Sequence, residues 1–522
     1  MGGLPGLSPA LAPGSDGIDA TLPGLLPWVR TAYDLGPYLV DDAGLAVYRY
    51  PAPINGTLLV PQGDGPFPLI LLLHGRHGTC SVAGTGVITV LSPLTCPNAF
   101  VVEPIDSYLG YGYLAENLAS HGYAVASVNA NAINDRDGTG TDSGANARAQ
   151  LVLRTLDELQ AVNATGHGLP DATMQTGGHT DLSAFKGRLD LSRIGLMGHS
   201  RGGEGVTRAI TMNPGWPTPH NIKAVFALAP TDFKRWTAPG VAFAVLLPYC
   251  DGDVSDLQGG KIFDDSRDLP GEPHPRFQVV DMGADHNYYN SVWTSDDWGT
   301  RQDAHCDGDA KGRDTPEAQR QHGLDLMGSF FRLFVGGEAQ FAPTWFDGEV
   351  PAKLCTAAQQ PCTDRIRISA DPVPADRTLL SRDGGGARSD GNGGNFRCAP
   401  PDCPSKPTVG SASQTYLAGD KAGRFEYAEL DVPLEGRSWL TFRAGAVVKG
   451  HEVRMRVLLT SDEGQTLTNA TLRAPPGTAA AKTILDEVRI PLAGLGGHLR
   501  SIVLMVPESG RQFQVADVML QR

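Results

Sequence analysis

No stretch of the chain approaches the roughly 20 consecutive apolar residues that a membrane-crossing helix requires, so a helical span is not expected. Positive charge is also scarce: 43 Lys and Arg face 57 Asp and Glu, leaving a net charge of −14. Without a basic surplus, nucleic acid and anionic membrane surfaces are poor partners. None of the eight cysteines forms a Cys-x-x-Cys pair, which removes zinc-ribbon and thioredoxin-like readings. The opening Met1–Pro13 lacks a basic start and a long apolar core, so it does not read as a signal peptide.

The cysteines nevertheless suggest export. They are even in number, and neighbours along the chain suggest Cys80 with Cys96, Cys250 with Cys306, Cys355 with Cys362 and Cys398 with Cys403. Disulfides persist in oxidising compartments, so a secreted or periplasmic protein written without its leader is expected. A chain of 522 residues exceeds a single core. The expected layout is a low-complexity arm over 1–25, a first domain over 26–340, a loop-rich linker over 341–410 that can hold the first strands of the second domain, and that all-β domain over 411–522.

The stretch Arg193 to Gly205 carries the first chemistry. A short apolar run ends in Gly198-His199-Ser200-Arg201-Gly202, a G-x-S-x-G pentad, and a helical pattern comes next. Strand, sharp turn and helix in this order hold a serine in a strained conformation at the carboxyl edge of a sheet. Glycines flank it because any Cβ there would collide with the strand or helix. Ser200 is the candidate nucleophile, and the Arg201 amide at the helix N-terminus is a candidate oxyanion donor.

Pro68 to Leu73 is a continuous apolar run, as expected of a parallel strand covered on both faces. It leads into His74-Gly75-Arg76-His77-Gly78, whose glycine lets the Arg76 amide turn toward the same oxyanion. His74 and His77 lack a third ligand at metal spacing and read as loop-fixing hydrogen-bonders. Helical patterns over Tyr108–His121 and Ala147–Val162 alternate with strand patterns at Tyr123–Val128, Ile222–Pro230, Ala242–Leu247 and Phe277–Met282. This alternation predicts an α/β fold with a doubly wound, mostly parallel sheet. The polar segment Asn129–Asn146 is expected on the rim above the strand ends.

A serine hydroxyl needs a histidine to take its proton and a carboxylate to orient that histidine. Three aspartates come after the strand that ends at Leu247: Asp251, Asp253 and Asp256. Asp253 is preferred because it clears the strand end by one turn, with Asp251 the main alternative. His286, on a loop directly after a strand, is the candidate base; His274 precedes its strand and His305 lies in a charged loop. Asp303, His305, Asp307, Asp309 and Asp314 lack calcium-motif spacing and read as a solvated acidic loop. No metal or cofactor is called for.

With these residues in view, the first 340 or so positions resemble α/β-hydrolases of the serine-esterase kind, near the secreted polyester hydrolase, cutinase-like and dienelactone-hydrolase-related group. The resemblance rests on Leu73-His74-Gly75-Arg76, Leu114 to Val128, Gly198 to Gly203, Asp251 to Val254 and Gly283 to Asn287. It implies a Ser200, Asp253, His286 triad, an oxyanion hole of the Arg76 and Arg201 amides, and cleavage of small or polymeric esters. Arg201 replaces the usual methionine, and Thr231 stands near a position usually held by tryptophan. Both make the pocket more polar. An amidase or peptidase with the same triad, and a non-catalytic binding protein on this scaffold, are the rival readings.

Beyond Glu338 the composition turns rich in Gly, Asp and Pro. Short strand patterns at Val453–Val457, Ile484–Leu492, Ser501–Val506 and Phe513–Leu520 suggest a jelly-roll-like β-sandwich. With Trp439 and Tyr416 among few aromatics, a packing or surface-attachment role is preferred over carbohydrate binding.

Overall fold

Leu69 to Leu73 are fully buried, which for five consecutive residues requires a strand with neighbours on both edges and cover on both faces. The computed structural model describes residues 18–41, 49–82, 85, 96, 102–137, 142–169, 180–267, 269–354, 365–382, 387–389, 393–398, 414–419, 423–446, 451–474, 476, 482, 484–508 and 511–522. Two compact units are present, one of 1–269, 278–299 and 313–366, the other of 270–277, 300–312 and 367–522.

The first unit is built on strands β1 (Trp28–Asp41), β2 (Arg49–Pro61), β3 (Phe67–Leu73), β4 (Ala124–Val128), β5 (Leu189–His199), β6 (Ile222–Leu228), β7 (Ala242–Pro248) and β8 (Arg276–Asp281). They lie side by side in the order β1-β2-β4-β3-β5-β6-β7-β8. β1 and β2 pair antiparallel, as do β2 and β4, whereas β4, β3, β5, β6 and β7 run parallel. Register decides where the loops emerge. Leu73 lies beside Val128 and Gly198, and His199 beside Leu228, so the loops after β3, β4, β5 and β6 leave from one edge.

The connecting helices are α1 (Gly112–Ser120), α2 (Ala145–Thr165), α3 (Arg201–Met212), α4 (Gly259–Arg267) and α5 (Pro316–Phe334). α5 starts with Thr315 capping the Ala318 amide and Pro316 at its first position, where a missing N–H costs nothing. Its Phe330 meets Phe226 of β6 edge-on at 5.5 Å and Trp345 at 5.1 Å.

Two expectations need correction, and one strand escaped the sequence reading. The arm predicted over 1–25 is docked at its end: Ala20 is buried and its amide donates to Asp325, while residues 1–17 lie outside the described residues. The long strand β1 was not foreseen, because its alternation is broken by Gly36 and Pro37. The segment 129–146 is not simply a solvated rim: Asn131, Asn134, Asp137 and Asp142 are buried. Internal partners hold Asn134, which accepts from the Arg148 guanidinium at 2.6 Å, and Asp142, which accepts the amides of Gly144 and Asn146 that start α2.

In the second unit, the described residues form two antiparallel sheets of six strands each, which contribute to one core that includes Phe425, Tyr427, Leu440, Phe442, Val457 and Val515. Phe425 and Phe513, from different sheets, meet edge-on at 5.5 Å. The alternation read at Val453–Val457 is borne out: Val453, Met455 and Val457 face the core, while Arg454 and Arg456 face out.

Cys80 and Cys96 form the expected disulfide, and Cys250 and Cys306 are both disulfide-bonded. Cys355, Cys362 and Cys403, and the side chain of Cys398, lie outside the described residues.

Replacing Phe330 with alanine is expected to destabilise the first unit by about 3–5 kcal/mol. Urea unfolding monitored by tryptophan fluorescence should show the midpoint falling with the slope unchanged.

Candidate active site

At the carboxyl end of β5 the chain turns so sharply into α3 that Ser200 takes φ +58° and ψ −125°, a region that non-glycine residues avoid at a cost of about 1–3 kcal/mol. The turn is held by the Ser200 amide donating to Leu228 and the Ser200 carbonyl accepting from Gly203, both at 2.9 Å. Glycine is obligatory beside it. A Cβ on Gly198 would lie 2.1 Å from the Gly202 oxygen, and one on Gly75 would lie 2.5 Å from the Ser200 Cβ and 3.2 Å from its Oγ. The Gly75–Arg76 backbone therefore passes directly beside the hydroxyl. The Arg76 amide donates to no group among the described residues. Arg201 opens α3, where first-turn amides have no intrahelical acceptor.

His286 lies on the loop after β8, and its ring is buried 4.9 Å from that of His199, the residue before Ser200. Its Nδ1 donates to Asp251 Oδ2 at 2.8 Å, which leaves the Nε2 lone pair free in the neutral ring. That Nε2 is buried and has no hydrogen-bond partner among the described residues.

The carboxylate on Nδ1 thus belongs to Asp251, not to the preferred Asp253. Asp253 is 66% exposed and its nearest oxygen lies 3.6 Å from Nε2. The backbone decides this: the Asp251 Oδ1 accepts the amides of Asp253 and Val254 at 3.0 and 2.5 Å. That folds the turn back over Asp251 and leaves Asp253 outside. Asp256 is exposed.

A further carboxylate escaped the sequence reading. Asp297 Oδ2 accepts the Gly252 and Asp253 amides, each at 2.7 Å, and its Oδ1 accepts the His286 amide at 3.0 Å. One side chain thereby fixes the acid turn against the histidine loop. No local pattern marks it out among the aspartates near it.

Burial pulls the His286 pKa down, but Asp251, with Asp253 and Asp297, more than reverses this and pushes it up to about 9. The neighbouring imidazoles go the other way. Burial lowers His74 to about 4 and holds His199 well below the usual range. His74 Nε2 accepts the Ala130 amide, so its Nδ1 carries the proton and donates to the Gly75 carbonyl. His77 stacks on Trp293 at 4.9 Å, and Trp293 in turn lies 4.8 Å from His199.

Two clusters have the residue types of a metal site within the first unit. In Asp281, Asp314 and His322, the imidazole donates from Nδ1 to Asp281 and from Nε2 to the Leu354 carbonyl. Both nitrogens carry protons, leaving no lone pair for a ligand bond. In Asp285, Asp296 and Asp297, the Arg313 guanidinium bridges the first two carboxylates and three amides occupy the third. The acidic stretch 303–314 is not a uniformly solvated loop: Asp303 and Asp314 are buried, Asp303 accepting the amides of His305 and Cys306 and Asp314 pairing with Arg365.

No family model matches the chain. Among curated proteins, it is 27% identical over 201 residues to "Cutinase 2" of Thermobifida cellulosilytica, covering 36% of this chain and 64% of that protein. It is likewise 27% identical over 201 residues to "Cutinase cut1" of Thermobifida fusca, covering 36% and 53% respectively. To a "Bis(hydroxyethyl) terephthalate hydrolase" of Streptomyces coelicolor it is 26% identical over 213 residues, covering 37% and 56%. The chain therefore spans between 53% and 64% of the length of these relatives.

The two aspartates are expected to separate in a pH–rate study with p-nitrophenyl butyrate. Asp251→Asn should lose about a thousandfold or more in kcat. Asp253→Asn should keep most of kcat at high pH while the acid limb moves to lower pH, because an anion that favours the imidazolium is gone. The opposite ranking would return the orienting role to Asp253.

Proposed function

We propose that this chain is an exported serine hydrolase that cleaves carboxylic esters through an acyl-enzyme, on an α/β-hydrolase fold. The observation that carries this reading is a buried imidazole with Nδ1 on a buried carboxylate and Nε2 free, its ring 4.9 Å from that of the residue preceding a serine on a strained strand-to-helix turn. Similarity to cutinases over about a third of the chain agrees with it. The strand order and the alignment of loops at one sheet edge give the fold reading its support.

In this mechanism the Ser200 hydroxyl attacks the ester carbonyl as His286 Nε2 takes its proton. Asp251 holds the ring in the Nδ1–H tautomer and stabilises the imidazolium. The Arg76 and Arg201 amides donate to the oxyanion of the tetrahedral intermediate. Collapse expels the alcohol, protonated by His286, and water repeats the sequence to free the acid. Disulfides at Cys80–Cys96 and at Cys250 and Cys306 favour a secreted or periplasmic setting. The all-β unit is assigned a packing or surface-attachment role.

A p-nitrophenyl ester chain-length series should show turnover by the wild type and a loss of at least about a thousandfold in Ser200→Ala. Equal rates in both chains would remove Ser200 from the chemistry. The acid limb of kcat/KM should sit above the pKa of free histidine, because Nε2 accepts a proton only once the imidazolium, pushed up to about 9, has lost its own.

A further inference from the structure

In a chain of net charge −14, cations gather at one place beside Ser200. Asp137, fully buried, is the only carboxylate in ion contact with Arg76, Arg148 and Arg201 among the described residues. Its Oδ2 accepts Arg148 Nη2 at 2.9 Å and lies 3.1 Å from Arg201 Nη1, and its Oδ1 lies 3.4 Å from Arg76 Nε. Three guanidiniums thus share one negative charge.

The three are not equivalent. Arg148 is buried and spent on structure, its two terminal nitrogens donating to Asn134, Asp137 and the carbonyls of Ser143 and Gly144. Arg148 and Asp137 together form a fixed base. Arg76 and Arg201 stand on it with donors to spare. The Arg76 side chain is 50% exposed, and neither of its terminal nitrogens hydrogen-bonds to a described residue. Among the described residues Arg201 has only its Nη1 engaged, with Asp137 and Ser143, and its guanidinium lies over the Phe233 ring at 5.6 Å. Both residues are anchored at the nucleophile, Arg201 directly after Ser200 and Arg76 directly after the glycine whose Cβ position is 3.2 Å from Ser200 Oγ.

A half-exposed, under-used guanidinium at that place is a receptor for a planar anion, since its fork matches a carboxylate with two parallel hydrogen bonds. We infer that Arg76, supported by Arg201, forms an anion subsite that favours esters carrying a free carboxylate, such as half-esters of dicarboxylic acids. The inference rests on the esterase reading for its substrate class, and on the Asp137 cluster alone for the subsite. It also gives a purpose to a polar residue where cutinase-like sites are expected to carry methionine: the charge selects the substrate.

The test compares p-nitrophenyl hexanoate with its half-ester counterpart mono-p-nitrophenyl adipate in the wild type, Arg76→Gln and Arg76→Lys. The quantity read is the ratio of the two kcat/KM values, which cancels any change at the Arg76 amide common to both esters. The ratio should favour the adipate, fall about tenfold in Arg76→Gln and fall less in Arg76→Lys, which keeps the charge but not the bidentate fork. A ratio in Arg76→Gln within about twofold of the wild type overturns the subsite. Adipate titrated calorimetrically into Ser200→Ala, and into the same chain with Arg76→Gln, reads the contact without turnover. Weaker binding in the double variant is expected, and equal or absent binding in both overturns the subsite even if esters are cleaved. Adipate binding that depends on Arg76, with no turnover of either ester, would instead sink the esterase reading and leave the subsite standing.

Discussion

The candidate site depends on a charge pair hidden from water, the Asp251 carboxylate on the His286 imidazole. Breaking such a pair from one side costs about 3–5 kcal/mol, because the remaining group is left buried and uncompensated. The protein meets this by surrounding the pair with backbone amides. Val254 and Asp253 donate to Asp251, and Asp297 accepts from both the acid turn and the histidine loop. Rigidity here comes from carboxylates bound to main chain, so the imidazole is held from both of its flanking loops.

The same device recurs at a second aspartate near Ser200. Asp137 gathers three guanidiniums as Asp297 gathers three amides. In each case an aspartate, buried at 137 and half-buried at 297, joins segments far apart in the chain and sets the position of groups near Ser200. An acidic protein thereby keeps a locally cationic rim at its candidate site. Aromatic rings gather in the same region, with His77, Trp293, His199 and His286 in ring contact. Burial keeps His199 and His74 neutral, so among these only His286 is driven toward the imidazolium.

The parallel strands β3 to β7 and the helix α3 were legible as continuous apolar runs and a helical period, because burial on both faces writes itself directly into composition. Ser200 and His286 stood out for a related reason. A strained turn needs glycines beside its serine, and a loop directly after a strand is a local feature. Harder to see was β1, whose Gly36 and Pro37 interrupt the alternation. The segment 129–146 misled because asparagine and aspartate usually mark solvent, and here Arg148 is buried with them.

The choice between Asp251 and Asp253 shows where reading along the chain ends. They are two residues apart in one turn, equal in chemistry, and the motif resemblance favoured the second. Which of them meets Nδ1 is set by the direction of a side chain on a turn closed by its own amides and by Asp297, more than forty positions away in sequence. Composition and periodicity alone determined that a strand–serine–helix turn would lie on a parallel sheet, because those constraints act between neighbours. The partner of the imidazole, the brace at Asp297 and the arginines on Asp137 were decided only by tertiary structure, because each is a contact between segments whose distance in space no local pattern encodes.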